Sequence, residues 1–478
     1  MTATADKHYD VIIIGSGSGN SIPSPAYDDL SIALVEEGRF GGTCLNVGCI
    51  PTKMYVLAAD AALNAREAGR LGVHASVDSV DWDSIRERVF AKRIDPIAEG
   101  GEAYRRGTET PNIDVYDQHA RFVGERTIVT GQGDTQRTIS ADQVIIAAGS
   151  RTSVPQFVLD SGVDYRTNAD VMRMDTLPKE MIILGAGYIA CEFAHVFSAL
   201  GVTVHVINRS GLMVRHCDGD VAQRFTDVVT NNWDVHLNTV IDELSADGDD
   251  IVATLSDGTT VRGQELLVAT GRTPNGDLMD LDKGGVEMTD DGRVAVDAFG
   301  RTSADGVWAL GDVSSAHQLK HVANFEATAV FQNVLACRDG GANAESRLRT
   351  QSKGVVPSAI FSHPQIGQVG MTEEQATEWA QANGKEITVK VQDYSDVAYG
   401  WALEDTHGFC KLIADKHTGR LLGAHFIGEQ AATLVQQCVQ MIAFNIDCRE
   451  AASQQYWIHP ALPELLENAL LGLEFDEA

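Results

Sequence analysis

MIILGAGYIACEFAHVFSALGVTVHVI, residues 181–207, reads as a strand, a glycine turn, a helix and a second strand in unbroken succession. Met181 to Leu184 is a short apolar run of the kind buried on both faces of a parallel sheet. Gly185, Gly187 and Ala190 occupy the three small-residue positions of the G-x-G-x-x-G/A fingerprint. The first permits a tight turn, the second lets the backbone approach a pyrophosphate, and the third lets the helix pack closely on the strand. No proline interrupts the helix, and Val202 to Ile207 forms the next strand. The stretch predicts a dinucleotide-binding α/β unit.

Nearer the N-terminus the pattern recurs in altered form. The apolar run Val11 to Ile14 leads into GSGSGNSIPSPAYDDLS, residues 15–31, and then into the run Ile32 to Val35. Gly15 and Gly17 fit the fingerprint, but Asn20 stands where the third glycine is expected. Pro23 and Pro25 lack the amide hydrogen a helix interior needs and their rings clash with the preceding turn, so any helix here is short or irregular. Glu36 lies 21 positions after Gly15, where the fingerprint places a carboxylate on a ribose hydroxyl. Two such units predict two bound dinucleotides. Val144 to Gly149 and Leu267 to Arg272 are apolar strands that each stop at a glycine, as though one closes each nucleotide unit. From Thr350 the texture changes to alternating strands (Ile387 to Val391, Phe409 to Ile413, Leu421 to Ile427) followed by helical patterns, which predicts an α+β domain with a mostly antiparallel sheet.

A chain of 478 residues is too long for one hydrophobic core. Its formal net charge, 37 − 67 = −30, repels nucleic acid and anionic membranes. An anionic cofactor must therefore meet local positive charge or oriented backbone amides. The N-terminus, MTATADKHYD, is polar, and there is no run of 18 or more apolar residues, so a cytosolic location is expected. In a reducing compartment a close cysteine pair among the eight cysteines is more often catalytic or metal-binding than structural.

GGTCLNVGCIPTK, residues 41–53, holds such a pair. Cys44 and Cys49 are five apart, too far for the C-x-x-C of a zinc ribbon, and no second pair lies at ligand spacing, so no metal is expected. Gly48 and Pro51 can bend the backbone enough for a disulfide across this small loop, and a strained, small loop is reducible. Toward the C-terminus, YWIHPALPELLENALLGL, residues 456–473, places Leu462, Leu465, Leu466, Ala469, Leu470 and Leu473 at helical spacing. A helix is expected to begin near Pro460, with His459 just before it and Glu464 in its first turn.

Gly41 to Lys53, the two fingerprints and TSADGVWALGD at 302–312 together resemble the FAD-dependent pyridine nucleotide-disulfide oxidoreductases. These include glutathione reductase, dihydrolipoyl dehydrogenase and mercuric reductase, and the resemblance spans essentially the whole chain. It implies an α/β protein with two Rossmann-like dinucleotide-binding domains and a C-terminal α+β dimerisation domain. The segments would be 1–160 for FAD, 161–290 for NADPH, 291–350 as a second, central FAD-domain segment and 351–478 for dimerisation. It further implies FAD in the first fold, with Glu36 on the adenosine ribose, Asp312 on the ribityl chain, and Gly15, Gly17, Gly42, Thr43, Lys53 and Gly149 completing the site. Cys49 would lie against the flavin and accept electrons, and Cys44 would attack a disulfide substrate. A Lys53–Glu192 ion pair near the flavin ring and Tyr188 over the nicotinamide pocket are also implied. In H-P-x-x-x-E, His459 would protonate the leaving thiolate, oriented by Glu464 and contributed by the other subunit of a homodimer.

VINRSGLMVRH, residues 206–216, bears on the second cofactor. Enzymes that use NAD place an acid on the ribose after the second strand, whereas a 2′-phosphate calls for arginine. Asn208 stands at that turn, followed by Arg209 and Arg215, whose guanidinium groups can make bidentate bonds to a phosphate. NADPH is expected, with Gly185, Gly187, Ala190 and Gly271 in its site. The prolines after the first glycine loop fall on the helix that helps build the tripeptide pocket of glutathione reductase, so a different small-molecule thiol disulfide is expected. The alternatives are an NAD-linked dihydrolipoyl dehydrogenase and a non-catalytic FAD-binding scaffold.

Overall fold

The computed structural model describes residues 5–338, 345–352 and 354–476. The chain forms two compact units. One comprises Met1–Thr52, Asp83–Ser153 and Arg272–Lys353; the other comprises Lys53–Trp82, Val154–Gly271 and Gly354–Ala478.

The first unit is built on a seven-stranded sheet. Ile113–Tyr116, Ile32–Val35, Lys7–Ile14 and Arg137–Ile146 run parallel in that spatial order, and Val307–Ala309 pairs parallel to the end of Arg137–Ile146. The beginning of Arg137–Ile146 pairs instead with Thr127–Thr130, antiparallel. One ten-residue strand thus joins a nucleotide-binding sheet to a meander. The apolar runs are continuous because both faces are covered. Val11, Ile13, Ile32, Leu34 and Ile145 enter one core, shared with Val330 and Val334 of the Lys320–Arg338 helix. Ile12, Ile14, Ala33, Val35, Val144 and Ile146 enter the other.

The crossover after the first glycine loop contains no long helix. Two single helical turns, Gly19–Ser21 and Pro25–Tyr27, replace it, and Pro25 sits at the first helical position, where its missing amide costs nothing. The third glycine's packing role moves by one residue. A Cβ on Gly19 would stand 2.9 Å from Ile13 Cγ2 and 3.0 Å from Ala147 Cβ. Asn20 is held at the side, its Oδ1 accepting from Arg105 Nε at 2.7 Å.

The second unit carries the other parallel sheet, in the order Asp234–His236, Thr203–Ile207, Glu180–Leu184, Glu265–Val268, with the helix Tyr188–Ala199 after the glycine turn. A three-stranded antiparallel meander, Ile241–Asp247, Asp250–Leu255 and Thr260–Gly263, shares a core with this sheet. The same unit contains a five-stranded antiparallel sheet ordered Ser358–Ile360, Ile366–Gly370, Leu421–Ile427, Phe409–Asp415, Ile387–Asp393. The helices Ala431–Ala443, Cys448–Ser453 and Pro463–Leu471 contribute to its core. This is the α+β texture expected beyond Thr350.

The last helix begins at Pro463 and not near Pro460. A helix opened by Pro460 would place Pro463 in its fourth position, where a missing N–H and a ring clash are costly. With Pro463 first, neither arises. Among the described residues, no helix is long and apolar enough to cross a membrane.

Candidate active site

The first glycine loop is shaped by contacts that exclude side chains. Gly15 has φ +106° and its Cβ would stand 2.2 Å from Ala147 O. Gly42, at φ +69°, lies so close to Gly17 that a Cβ would come within 2.6 Å of Gly17 Cα. At the end of its strand Glu36 accepts from Ser16 N at 2.8 Å and Ser16 Oγ at 2.6 Å, and Ser16 Oγ accepts from Gly41 N at 2.8 Å. The carboxylate is thereby fixed beside the loop, as the fingerprint requires, through a buried serine that sequence reasoning did not single out. These glycines form a cradle from which side chains are excluded, and Glu36 stands at its edge. The arrangement fits the pyrophosphate and ribose of a dinucleotide.

The cysteine motif follows directly. Gly42–Asn46 is a short helix carrying Thr43 and Cys44, and Cys49 opens the helix Cys49–Glu67. Between them, Gly48 approaches the first helix so closely that a Cβ would meet Thr43 O at 2.9 Å and Cys44 Cα at 3.2 Å. That close approach folds the two cysteines together. Buried Asn46 secures the turn, its Nδ2 donating to Phe40 O at 2.9 Å and Gly42 O at 3.1 Å. Both cysteines are thiols here, Cys44 partly buried and Cys49 exposed. They share a hydrogen bond, so one sulfur ionises easily and the other resists. That bond, aided by the Lys320 charge and the amides of Cys49 and Ile50, holds Cys44 down at about 7 against burial. The same bond, together with the charges of Cys44 and Asp312, pushes Cys49 well up. A thiolate at Cys44 is the form that attacks a disulfide.

Asp312 ends the Val307–Ala309 strand segment in a network. Its Oδ2 accepts from Ser150 Oγ at 2.7 Å, and Arg272 donates from Nε to that same hydroxyl at 2.8 Å. Behind it, Glu326 Oε2 accepts from Gly311 N at 2.7 Å, and burial raises this carboxyl. Ser150 and Arg272 follow the two strands that stop at glycine and pair through Ser150–Thr152 and Arg272–Pro274. Gly149, at φ +68°, has nothing within 4 Å of a Cβ, so a ligand can approach its backbone.

In the second unit Gly185 repeats the relationship of Gly15: its φ is +125° and a Cβ would stand 2.4 Å from Ala269 O. Around Gly187, and around Gly271 at φ +131°, the space is open, while Ala190 is fully buried against the sheet. Tyr188 is 43% exposed at the mouth of this turn. Asn208 holds the following loop, its Nδ2 donating to Ser210 Oγ at 2.8 Å and Leu212 O at 3.2 Å. Val214 N donates to Ala186 O at 2.8 Å, which ties the loop to the glycine turn. Arg209 and Arg215 extend from it, exposed. Neither is in an ion pair with a carboxylate among the described residues.

The expected Lys53–Glu192 ion pair is not among the described ion pairs. The two side chains meet through Phe361. Lys53 Nζ lies 4.2 Å from its ring centroid, and Glu192 Oε1 accepts its amide hydrogen at 2.9 Å. Phe361 thus touches both side chains, its ring the ammonium and its amide the carboxylate. Phe361 was not legible as a site residue in the sequence.

His459 and Glu464 do meet: Nδ1 is 2.6 Å from Oε1, with the imidazole 69% exposed and the carboxylate side chain 17% exposed. The carboxylate thus holds one ring nitrogen of an imidazole that is otherwise open to solvent.

Residues 9–329 match the family described as pyridine nucleotide-disulphide oxidoreductase, and residues 356–470 match its dimerisation domain. The chain is 50% identical to the mycothione reductase of Mycobacterium tuberculosis, over 97% of this chain and 99% of that one. It is 32% identical to a dihydrolipoyl dehydrogenase of Halobacterium salinarum, over 96% of this chain and 95% of that one. Among solved structures, the Cu(II) complex of the HOCl-induced flavoprotein disulfide reductase RclA from Escherichia coli matches with a TM-score of 0.82. That match covers 97% of this chain and 99% of the other, at 25% identity.

Proposed function

Because this chain belongs to the FAD-dependent pyridine nucleotide-disulfide oxidoreductases, we propose that it reduces mycothione, the disulfide of the cysteinyl glucosaminyl-inositol thiol mycothiol, with NADPH. The observation that carries the substrate is the full-length 50% identity to a mycothione reductase. The shortened crossover after Gly17 supports it by removing the long helix on which a tripeptide pocket is built.

Gly15, Gly17, Gly42, Thr43, Glu36, Lys53, Gly149 and Asp312 would hold FAD, which when bound would supply the electron-pair relay between NADPH and the Cys44–Cys49 disulfide. Gly185, Gly187, Ala190 and Gly271 would hold NADPH, Arg209 and Arg215 would take its 2′-phosphate, and Tyr188 would cover the nicotinamide pocket until it enters. Lys53 and Glu192 would bring their opposite charges near the flavin ring. Once reduced, the Cys44 thiolate attacks one sulfur of mycothione, and the other leaves with a proton from His459. Cys49 then attacks Cys44, breaking the mixed disulfide and restoring the Cys44–Cys49 bond as the second thiol leaves with a proton. One NADPH and one proton thus convert one disulfide into two thiols.

His459 and Glu464 are contributed across a homodimer, which the dimerisation domain supports. Segments 1–160 and 291–350 serve FAD, 161–290 serves NADPH and 351–478 serves dimerisation, in a cytoplasmic protein. Turnover with NADPH against mycothione, glutathione disulfide and lipoamide tests the reading. Preference for lipoamide with NADH would replace it with a dihydrolipoyl dehydrogenase, and absence of turnover with any disulfide would leave an FAD-binding scaffold.

A further inference from the structure

Lys320 opens the Lys320–Arg338 helix in the first unit, and its Nζ donates to Ser18 Oγ at 2.9 Å. Ser18 lies between Gly17 and Gly19 in the glycine loop. The loop touches the segment bearing the reactive cysteines, because Gly17 and Gly42 are in backbone contact and Cys44 follows Gly42 by two residues. Among the described residues Lys320 has no carboxylate partner. In a chain with 67 acidic and 37 basic residues, an ammonium that is half-buried on a hydroxyl and left unneutralised is out of the ordinary. Its charge is felt at Cys44, where it favours the ionised sulfur.

We propose that Lys320 is an electrostatic positioning residue of the disulfide site, its ammonium anchored on Ser18 so that Cys44 is kept as the attacking thiolate. This rests on the assignment of Cys44 as the thiol that attacks substrate. The other groups facing the pair are the Cys49 thiol, the amides of Cys49 and Ile50, and the Asp312 carboxylate beside Cys49. Among these groups Lys320 is the one full positive charge; His459, which the proposed function brings to the site from the other subunit, is the further titratable group there. A neighbouring lysine charge lowers the pKa of a thiol and raises its thiolate fraction at neutral pH.

The test is iodoacetamide alkylation of the anaerobic NADPH-reduced holoenzyme across pH, with the modified cysteine identified by peptide mass spectrometry and FAD content measured in parallel. For Lys320→Met, alkylation of Cys44 at pH 7 should slow by about threefold to tenfold and the pH midpoint should rise. Lys320→Arg, which keeps the charge, should stay within about twofold of wild type. Raising salt to about 1 M, where the screening length is about 3 Å, should slow wild type in the same direction and leave Lys320→Met little changed. An unchanged midpoint in Lys320→Met with full FAD content overturns the inference, as does a Lys320→Arg protein as slow as Lys320→Met. If Lys320→Met does not fold, Ser18→Ala and the wild-type salt series decide by the same criterion. Labelling of wild type at Cys49 in place of Cys44 overturns the assignment beneath the inference, whereas labelling at Cys44 with no Lys320 effect overturns the inference alone.

Discussion

His459 Nδ1 stands 2.6 Å from Glu464 Oε1, and the five-residue separation that allows this spans Pro460 and Pro463. The carboxylate fixes which imidazole nitrogen carries the proton, and in the proposed function this leaves Nε2 for the substrate. His459→Gln should leave reduction of the flavin by NADPH intact and slow disulfide turnover by about 10² to 10⁴, the range of a positioned acid. Glu464→Gln should cost less. Mixing inactive Cys44→Ser with inactive His459→Gln subunits should restore up to about half the activity per mixed dimer, because each then holds one site with both native groups. No recovery after verified subunit exchange would place both residues in one chain.

The two cysteines should fail differently. Cys44→Ser removes the sulfur hydrogen bond that most strongly pushes Cys49 up, so Cys49 should ionise beside oxidised FAD and show a long-wavelength absorption band, and Cys49→Ser should not. The band in the opposite variant would reverse the two roles.

Thiol reactivity should separate the pair from the other cysteines. Because Cys44 is lowered to about 7, its thiolate is present above that pH and is lost as pH falls through it, so alkylation should decline below neutrality. Burial pushes Cys217 and Cys448 up to about 12, and both should stay unmodified at pH 8 in the native protein. Mass mapping of alkylated peptides checks both statements.

Arg209 and Arg215 should set cofactor preference. Replacing both with Ala should raise KM for NADPH with little change for NADH, shifting preference by about two orders of magnitude or more. Each charge-assisted bond to the phosphate contributes roughly 1.5–3 kcal/mol. Equal losses with both cofactors would remove the assignment.

Gly42→Ala should abolish tight FAD binding. The new Cβ would stand 2.6 Å from Gly17 Cα on a backbone at φ +69°, a strain of about 1–3 kcal/mol before the contact itself is counted. Gly149→Ala shares the positive φ but meets nothing within 4 Å, so it should fold better while still hindering a ligand at that backbone. FAD content after purification and thermal denaturation distinguish the two.

Both dinucleotide folds, the cysteine pair and the antiparallel C-terminal domain were legible in the sequence by itself. Each depends on local patterns: apolar runs that need cover on both faces, glycines where the chain must turn left-handed, and two cysteines separated by a loop that Gly48 can fold. The prolines at 23 and 25 likewise announced a crossover without a long helix. What only the tertiary structure decided lies where distant segments converge. Gly19 takes over the packing that Asn20 cannot provide, because Ile13 and Ala147 lie beneath residue 19. Phe361 joins Lys53 to Glu192 from more than 160 positions beyond the latter, and Asp312 is oriented through Ser150 and Arg272. Such contacts leave no periodicity or spacing in the chain, because the residues that make them are selected for reach across a packed interior and not for the local backbone they occupy.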